Sequence, residues 1–143
     1  MAIYQTDVMT KQTGSMAGKL KPVDFGGRVR LVHGSITPSA AWAAGTVIEL
    51  ARLPKGARLL PISQIHFEAG QGATMTVKVG DSADDDRYFA AAAPGASAAS
   101  INLAANALGN YTLPAEDVIS LTTGTAALTS GKKIAFDLFY VID

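Results

Sequence analysis

The chain has 143 residues, 48% of them hydrophobic and 17% charged, with twelve basic residues balanced by twelve acidic ones and no cysteine. That length suits one domain, able to bury roughly two-thirds of its unfolded surface without a covalent staple. The lack of cysteine excludes disulfides, thiolate nucleophiles and cysteine-ligated zinc, and leaves the compartment open. No dense Lys/Arg patch interleaved with aromatics suggests a nucleic-acid partner. The longest apolar runs, Ala40–Ala44 and Phe89–Ala93, are too short to cross a bilayer. The first twenty residues lack the apolar core of a signal peptide, so a soluble protein made and used without secretion is expected.

Charge is unevenly spread. Met1–Gly80 carries nine Lys or Arg against four Asp or Glu, and Asp81–Asp143 three against eight, so the halves are +5 and −5. Two readings are open: the fold interleaves the halves and the asymmetry vanishes in space, or a basic N-terminal part lies on an acidic surface of a neighbour.

In chain order, residues 1–27 form an arm distinct from the rest of the chain. Its scattered apolar residues (Ile3, Tyr4, Val8, Met9, Met16, Leu20, Phe25), three lysines and four glycines sustain neither helical nor strand periodicity. Such a segment is either tied to its own domain or orders on a partner. Its isolated hydrophobes exceed what a pure linker needs, which favours contact through Ile3, Tyr4, Val8, Met9, Lys11, Lys19, Lys21 and Phe25.

From Arg28 onward, strands dominate. Arg28–Ile36 alternates as a first strand, ended by Pro38. After the small-residue segment around Trp42, Thr46–Leu53 reads as a second, closed by the Pro54-Lys55-Gly56 turn. Ala57–Phe67 continues with a break at Pro61, which implies an edge position or a bulge. In Thr74–Phe89, Met75, Val77 and Val79 alternate with polar residues, run into the turn-forming Gly80–Asp86 and emerge on Tyr88-Phe89. The Ala-rich stretch Ala90–Gly109 is broken at Pro94-Gly95, and Ser97 could cap a short helix through Leu108. Tyr111–Leu113, Val118–Thr122 and Lys133–Ile142 complete the set. The last of these becomes apolar on both faces, as a central, covered strand does.

This pattern predicts an all-β chain, a single-domain β-sandwich or jelly roll of about eight short antiparallel strands over 28–143 with an extended N-terminal arm, 1–27.

The search for chemistry returns no catalytic set. The acid cluster Asp81, Asp84, Asp85 and Asp86 could attract a hard cation, yet it lacks the alternating spacing of an EF-hand loop, and turn capping with solvated charge accounts for it. An exposed pair with Arg87 would contribute only about 0–1 kcal/mol. His33 and His66 are separated strand residues, short of either a metal cluster or a Ser-His-acid arrangement. Neither Gly70-Gln71-Gly72 nor Gly131-Lys132-Lys133 completes a nucleotide-binding fingerprint. The expectation is no enzyme, no cofactor and no metal.

The succession Ala44–Ala57 (AGTVIELARLPKGA), then Val79-Gly80-Asp81 with Asp85-Asp86-Arg87-Tyr88-Phe89, then the closing Lys133–Val141 strand, resembles small structural proteins of tailed bacteriophages. In particular, it is similar to capsid cement, or decoration, proteins with a jelly-roll fold. The resemblance implies a protein made in the host cytoplasm that binds the outside of an icosahedral head. Its partners would be the major capsid protein and itself, as homodimer or homotrimer, with no nucleic acid and no membrane. The arm residues named above, together with Trp42, Asp84, Asp85 and Arg87, are then the candidate contacts. Two alternatives stand beside it: a head–tail connector or tail protein of the same fold, and a jelly-roll module binding carbohydrate or a small molecule through Trp42, Tyr88, His33 or His66.

Overall fold

A computed structural model describes residues 28–72, 74–92, 99–103 and 111–142. Among these there is no helix; nine strands form two antiparallel sheets packed face to face. The strands are β1 (Arg30–Ile36), β2 (Val47–Leu53), β3 (Ala57–Leu59), β4 (Gln64–Phe67), β5 (Thr76–Gly80), β6 (Phe89–Ala92), β7 (Ala99–Asn102), β8 (Asp117–Gly124) and β9 (Ile134–Ile142). One sheet runs β1-β9-β4-β7, with β3 also paired to β9; the other runs β2-β8-β5-β6.

Period-two patterning sets the inner faces. Met75, Val77 and Val79 around β5, Ile119 and Leu121 of β8, and Ile134 and Leu138 of β9 are all wholly buried. Between the sheets they meet Leu53, Leu59, Ile65 and Phe67. The longest strand, β9, lies at the centre of its sheet, bonded to β1 along one edge and to β4 and β3 along the other. Its outward face is only half covered, because Ala135, Asp137 and Phe139 remain partly accessible.

The sheets interleave the two halves of the sequence: β1 pairs with β9, β2 with β8, β4 with β7 and β9, and β5 with β8. The opposite charges of the halves are thereby brought together, as in Arg52–Glu116 at 3.2 Å.

Pro61 breaks the expected Ala57–Phe67 strand into β3 and β4, and the break faces the central strand. Ser63 repairs it. Its buried hydroxyl accepts from Phe139 N–H at 2.9 Å and donates to Phe139 C=O at 3.1 Å, taking the place of a missing backbone rung. Ser63→Ala should orphan that buried N–H and lower stability by about 1–3 kcal/mol, read from urea denaturation midpoints.

Two expectations need correction. The helix expected to follow Ser97 is not formed at Ala99–Asn102, which is strand β7 paired along β4. A helix of so few residues is marginal alone, whereas β4 offers a ready ladder, extended by Leu103 N–H bonding to Ser63 C=O at 2.9 Å. Tyr111–Leu113 is not a full strand but a single bridge, Thr112 to Arg58, since it meets only the short β3. The arm 1–27 lies outside the described residues.

Candidate functional site

Three surfaces gather polar or apolar groups beyond what the sandwich core requires. The first is the loop between β5 and β6. Val79 is buried in the core, and Gly80 is followed by Asp81, whose side chain is 1% exposed. One Asp81 oxygen accepts the N–H groups of Ala83 and Asp84, both at 3.1 Å, and the other accepts Arg87 Nε–H at 2.6 Å and the Tyr88 hydroxyl at 3.4 Å. The Arg87 guanidinium lies 3.7 Å above the Tyr111 ring centre. Burial first, then the Asp81 charge, pushes the Tyr88 phenol well above its ordinary range, so it stays a neutral donor.

The outer part of the loop carries Asp84, Asp85 and Asp86, with one carboxylate oxygen from each lying within 4.8 Å of the others. Lys78 bonds Asp85 at 2.5 Å and Arg87 stands 3.9 Å from Asp84, so two of the three carboxylates have a cation beside them. A hydrogen bond to Asp84, with burial and the neighbouring charges, raises the Asp86 carboxyl. The loop stays net acidic, with Asp81 and Asp84 accepting the backbone N–H groups that shape it.

The second surface is a polar row across the outer face of the β1-β9-β4-β7 sheet. His33 of β1 lies directly opposite Asp137 of β9, with Nδ1 at 2.6 Å from Oδ1. From β4, His66 Nε2 approaches Asp137 Oδ2 at 3.2 Å, while its Nδ1 lies 2.7 Å from Ser100 Oγ on β7. An ionised carboxylate only accepts, so with neutral rings His33 donates from Nδ1, His66 donates from Nε2, and His66 Nδ1 accepts from the Ser100 hydroxyl. Gln64 Nε2–H donating to Asn102 at 2.8 Å continues the row.

The order Ser100–His66–Asp137 is that of a nucleophilic hydrolase, but here it crosses an open strand surface. No helix among the described residues turns its N-terminus toward it to stabilise an oxyanion. The two histidines bind different oxygens of one carboxylate instead of converging on a point, so they bridge strands instead of chelating. Hydrogen bonding from His33, then from His66, holds the Asp137 carboxyl below its usual range. A depressed carboxylate contributes stability above its unfolded pKa and loses it as pH falls through the folded value. Asp137→Asn should therefore cost about 1 kcal/mol at neutral pH, with the gap to the parent closing below about pH 4. Urea denaturation at pH 7, 5 and 3 checks this; a gap independent of pH would refute it.

The third surface is a shallow groove of about 600 Å³ between the open edges of the two sheets, lined by Ile36, Ala41, Trp42, Ala43 and Thr46–Glu49. Trp42 is half-buried and tied by backbone bonds to Leu128, and Val47 at the groove is 58% exposed. Val29, just before β1, and Leu31, on its outward face, are 51% and 54% exposed.

The sequence-predicted contact residues separate accordingly. Trp42 lines the groove; Asp84 and Asp85 sit on the outer part of the loop; Arg87 is held inward by Asp81 and Tyr111. Ile3, Tyr4, Val8, Met9, Lys11, Lys19, Lys21 and Phe25 lie outside the described residues. Sequence reasoning missed Asp137. Its signal was a single acid on an outward position of an otherwise apolar strand, but its partners are set by register over 104 and 71 residues of chain.

The fold defined by these elements is a two-sheet antiparallel β-sandwich. No protein-family model matches the sequence, and no curated protein matches it either. Among solved structures it is similar to a chain of the capsid of Ralstonia phage GP4, with a TM-score of 0.67 and 24% identity over 82% of this chain and 86% of that one. It is also similar to a chain of the cyanophage Pam1 capsid asymmetric unit, with a TM-score of 0.60 and 22% identity over 83% and 88%. A third likeness is to a chain of the acid-stable capsid of Helicobacter pylori bacteriophage KHP30, with a TM-score of 0.50 and 21% identity over 80% and 94%.

Proposed function

We propose that this chain is a cement, or decoration, protein of a tailed-bacteriophage head, a non-enzymatic component that binds the outer surface of the assembled shell. The observation that carries the reading is the shared fold, over four-fifths or more of both chains, with chains of phage capsids. The connectivity supports it. With β3 and β4 taken as one interrupted strand, eight strands divide between the sheets in the orders β1-β9-β4-β7 and β2-β8-β5-β6, a jelly roll. A sandwich with an acidic outer loop and an arm of scattered hydrophobes suits adhesion better than turnover.

The mechanism is mass action. A ligand that binds the assembled shell and not its free subunits stabilises assembly in proportion to its occupancy. If the protein is a dimer or trimer, each oligomer touches several capsid subunits, and avidity exceeds any single contact. The arm residues, Trp42, Asp84 and Asp85 are the candidate contacts, shared between the major capsid protein and a second copy of the chain.

The test is co-sedimentation of the purified protein with expanded heads lacking it, beside the same measurement with free major capsid protein. Binding to heads alone, with a rise in the temperature at which they rupture, is the expected result. Equal binding to free subunits would overturn the reading, and a copy number on the scale of one small ring per particle would move the protein to the connector.

A further inference from the structure

We propose that the free edge of β1 receives the segment Ile3–Thr10 of a second copy of this chain as an added β-strand. The inference deepens the shell-component reading by naming the self-contact that builds its oligomer. It begins with the direction of the backbone groups on β9. Phe139 directs its N–H to Ser63 and its C=O to Leu60 N–H at 2.7 Å, and Lys133 C=O accepts from Glu68 N–H at 3.1 Å, so odd-numbered β9 residues bond toward β3 and β4. Antiparallel residues alternate, hence Ile134, Phe136, Leu138 and Tyr140 bond toward β1. In the observed register their partners are Ile36, Gly34, Val32 and Arg30. The N–H and C=O groups of Leu31, His33 and Ser35 therefore point away from the sheet, toward the open edge.

Among the described residues that edge has no partner strand, and its one guarding charge is Arg30 at its start. Open strands are commonly protected by shortness, bulges or proline. At the other edges, β7 has four residues and β2 carries a bulge between Glu49 and Ala51. The β1 strand has seven residues, no proline and no register shift, and Val29 and Leu31 stand exposed at its start beside the free backbone groups.

The occupant is argued from residues 1–27, which end two residues short of β1. Their stretch richest in strand formers is Ile3–Thr10 (IYQTDVMT), with Ile3, Tyr4, Thr6, Val8 and Thr10 and neither Gly nor Pro; its eight residues are enough to span the seven of β1. Its only charge is Asp7, while β1 is entered through the exposed Arg28 and Arg30. Return onto the chain's own edge is disfavoured on two counts. A two-residue turn at Gly26-Gly27 would make Arg28 the first bonded partner, but Arg28 has the parity that faces β9. Bringing Ile3–Thr10 back instead needs residues 11–27 as a long structureless loop, uncommon in compact domains. In a neighbouring copy the chain needs no reversal, and residues 11–27 run between the two copies instead of closing a loop on their own domain. Each copy then offers one edge and donates one arm, a head-to-tail contact that forms a ring where the rotation between copies closes.

The experiment uses purified full-length protein without capsids. Because the chain has no cysteine, Ser35→Cys places a benzophenone maleimide at one position beside the free edge. Photocrosslinking in a co-refolded equal mixture of isotopically light and heavy copies is expected to join Ser35→Cys to residues 3–10, with mixed-isotope products about as abundant as unmixed ones. Leu31→Pro removes an outward N–H without touching a β9 bond. It should convert the oligomer to monomer in light scattering and speed His33 amide exchange by about tenfold or more. Should that variant fail to fold, Val8→Pro blocks the same contact from the arm side and should have the same two effects. Crosslinks confined to one isotope, crosslinks outside residues 3–10, or an oligomer indifferent to both prolines would overturn the proposal. None of these outcomes bears on binding to heads, and a failure to bind heads would leave the crosslink result standing.

Discussion

Replacing Asp81 by alanine is expected to destabilise the protein by about 3–5 kcal/mol, because it leaves a nearly buried guanidinium without its carboxylate. The Arg87 side chain is only 20% exposed and bonds Asp81 at 2.6 Å, so its charge has little access to water once the partner is gone. The same substitution orphans the N–H groups of Ala83 and Asp84 that shape the turn. Urea denaturation of the single variant, of Arg87→Met and of the double variant forms a cycle. The double variant should recover part of the loss, since removing both members of a buried pair costs less than removing one. A loss under about 1 kcal/mol for Asp81→Ala would mean that the pair behaves as an exposed one.

Gly80→Ala should be of similar size, about 3 kcal/mol, and for a different reason. A Cβ on Gly80 would lie 2.0 Å from Asp84 C=O oxygen and 2.4 Å from Asp85 carbonyl carbon, both backbone atoms of the loop that folds over it. Backbone cannot rotate aside as a flexible side chain can, so the loop must lift and weaken the Asp81 contacts beneath. A fall in melting temperature of roughly 10 °C is expected, with faster exchange of the Asp81 amide, which bonds Asp84 C=O at 2.9 Å. An unchanged melting temperature would show that the loop accommodates the methyl group without strain. The two substitutions explain why Val79-Gly80-Asp81 stands out in the sequence: a core residue, a close backbone approach and a buried acceptor stand side by side.

Much of the architecture was legible locally. Alternation in Met75–Val79, Val118–Thr122 and Lys133–Ile142 requires half-buried strands, turn residues mark their ends, and the count of short strands leads to a sandwich. The same local logic treats the acids of 81–86 as capping with solvated charge. Capping holds for Asp81 and Asp84, but Asp81 is buried, because Arg87 and Tyr88 close over it once β6 folds back along β5. Pro61 announced an interruption, and its remedy through Ser63 became visible only with β9 laid alongside. His33 and His66 read as unrelated strand residues, and the register of three strands brought them to one aspartate.

The sequence by itself determined which face of each strand is apolar, where the chain must turn, and that it offers no local signature of catalysis or of cysteine chemistry. These properties depend on neighbours within a few residues, where the two-residue period and turn chemistry act. Tertiary structure alone decided strand order, the row from His33 to Ser100, the buried Asp81–Arg87 pair and, among the described residues, the unpaired edge of β1. Each of these depends on pairing between residues far apart in the chain, and a one-residue shift of register would turn every outward side chain inward and dissolve the arrangement.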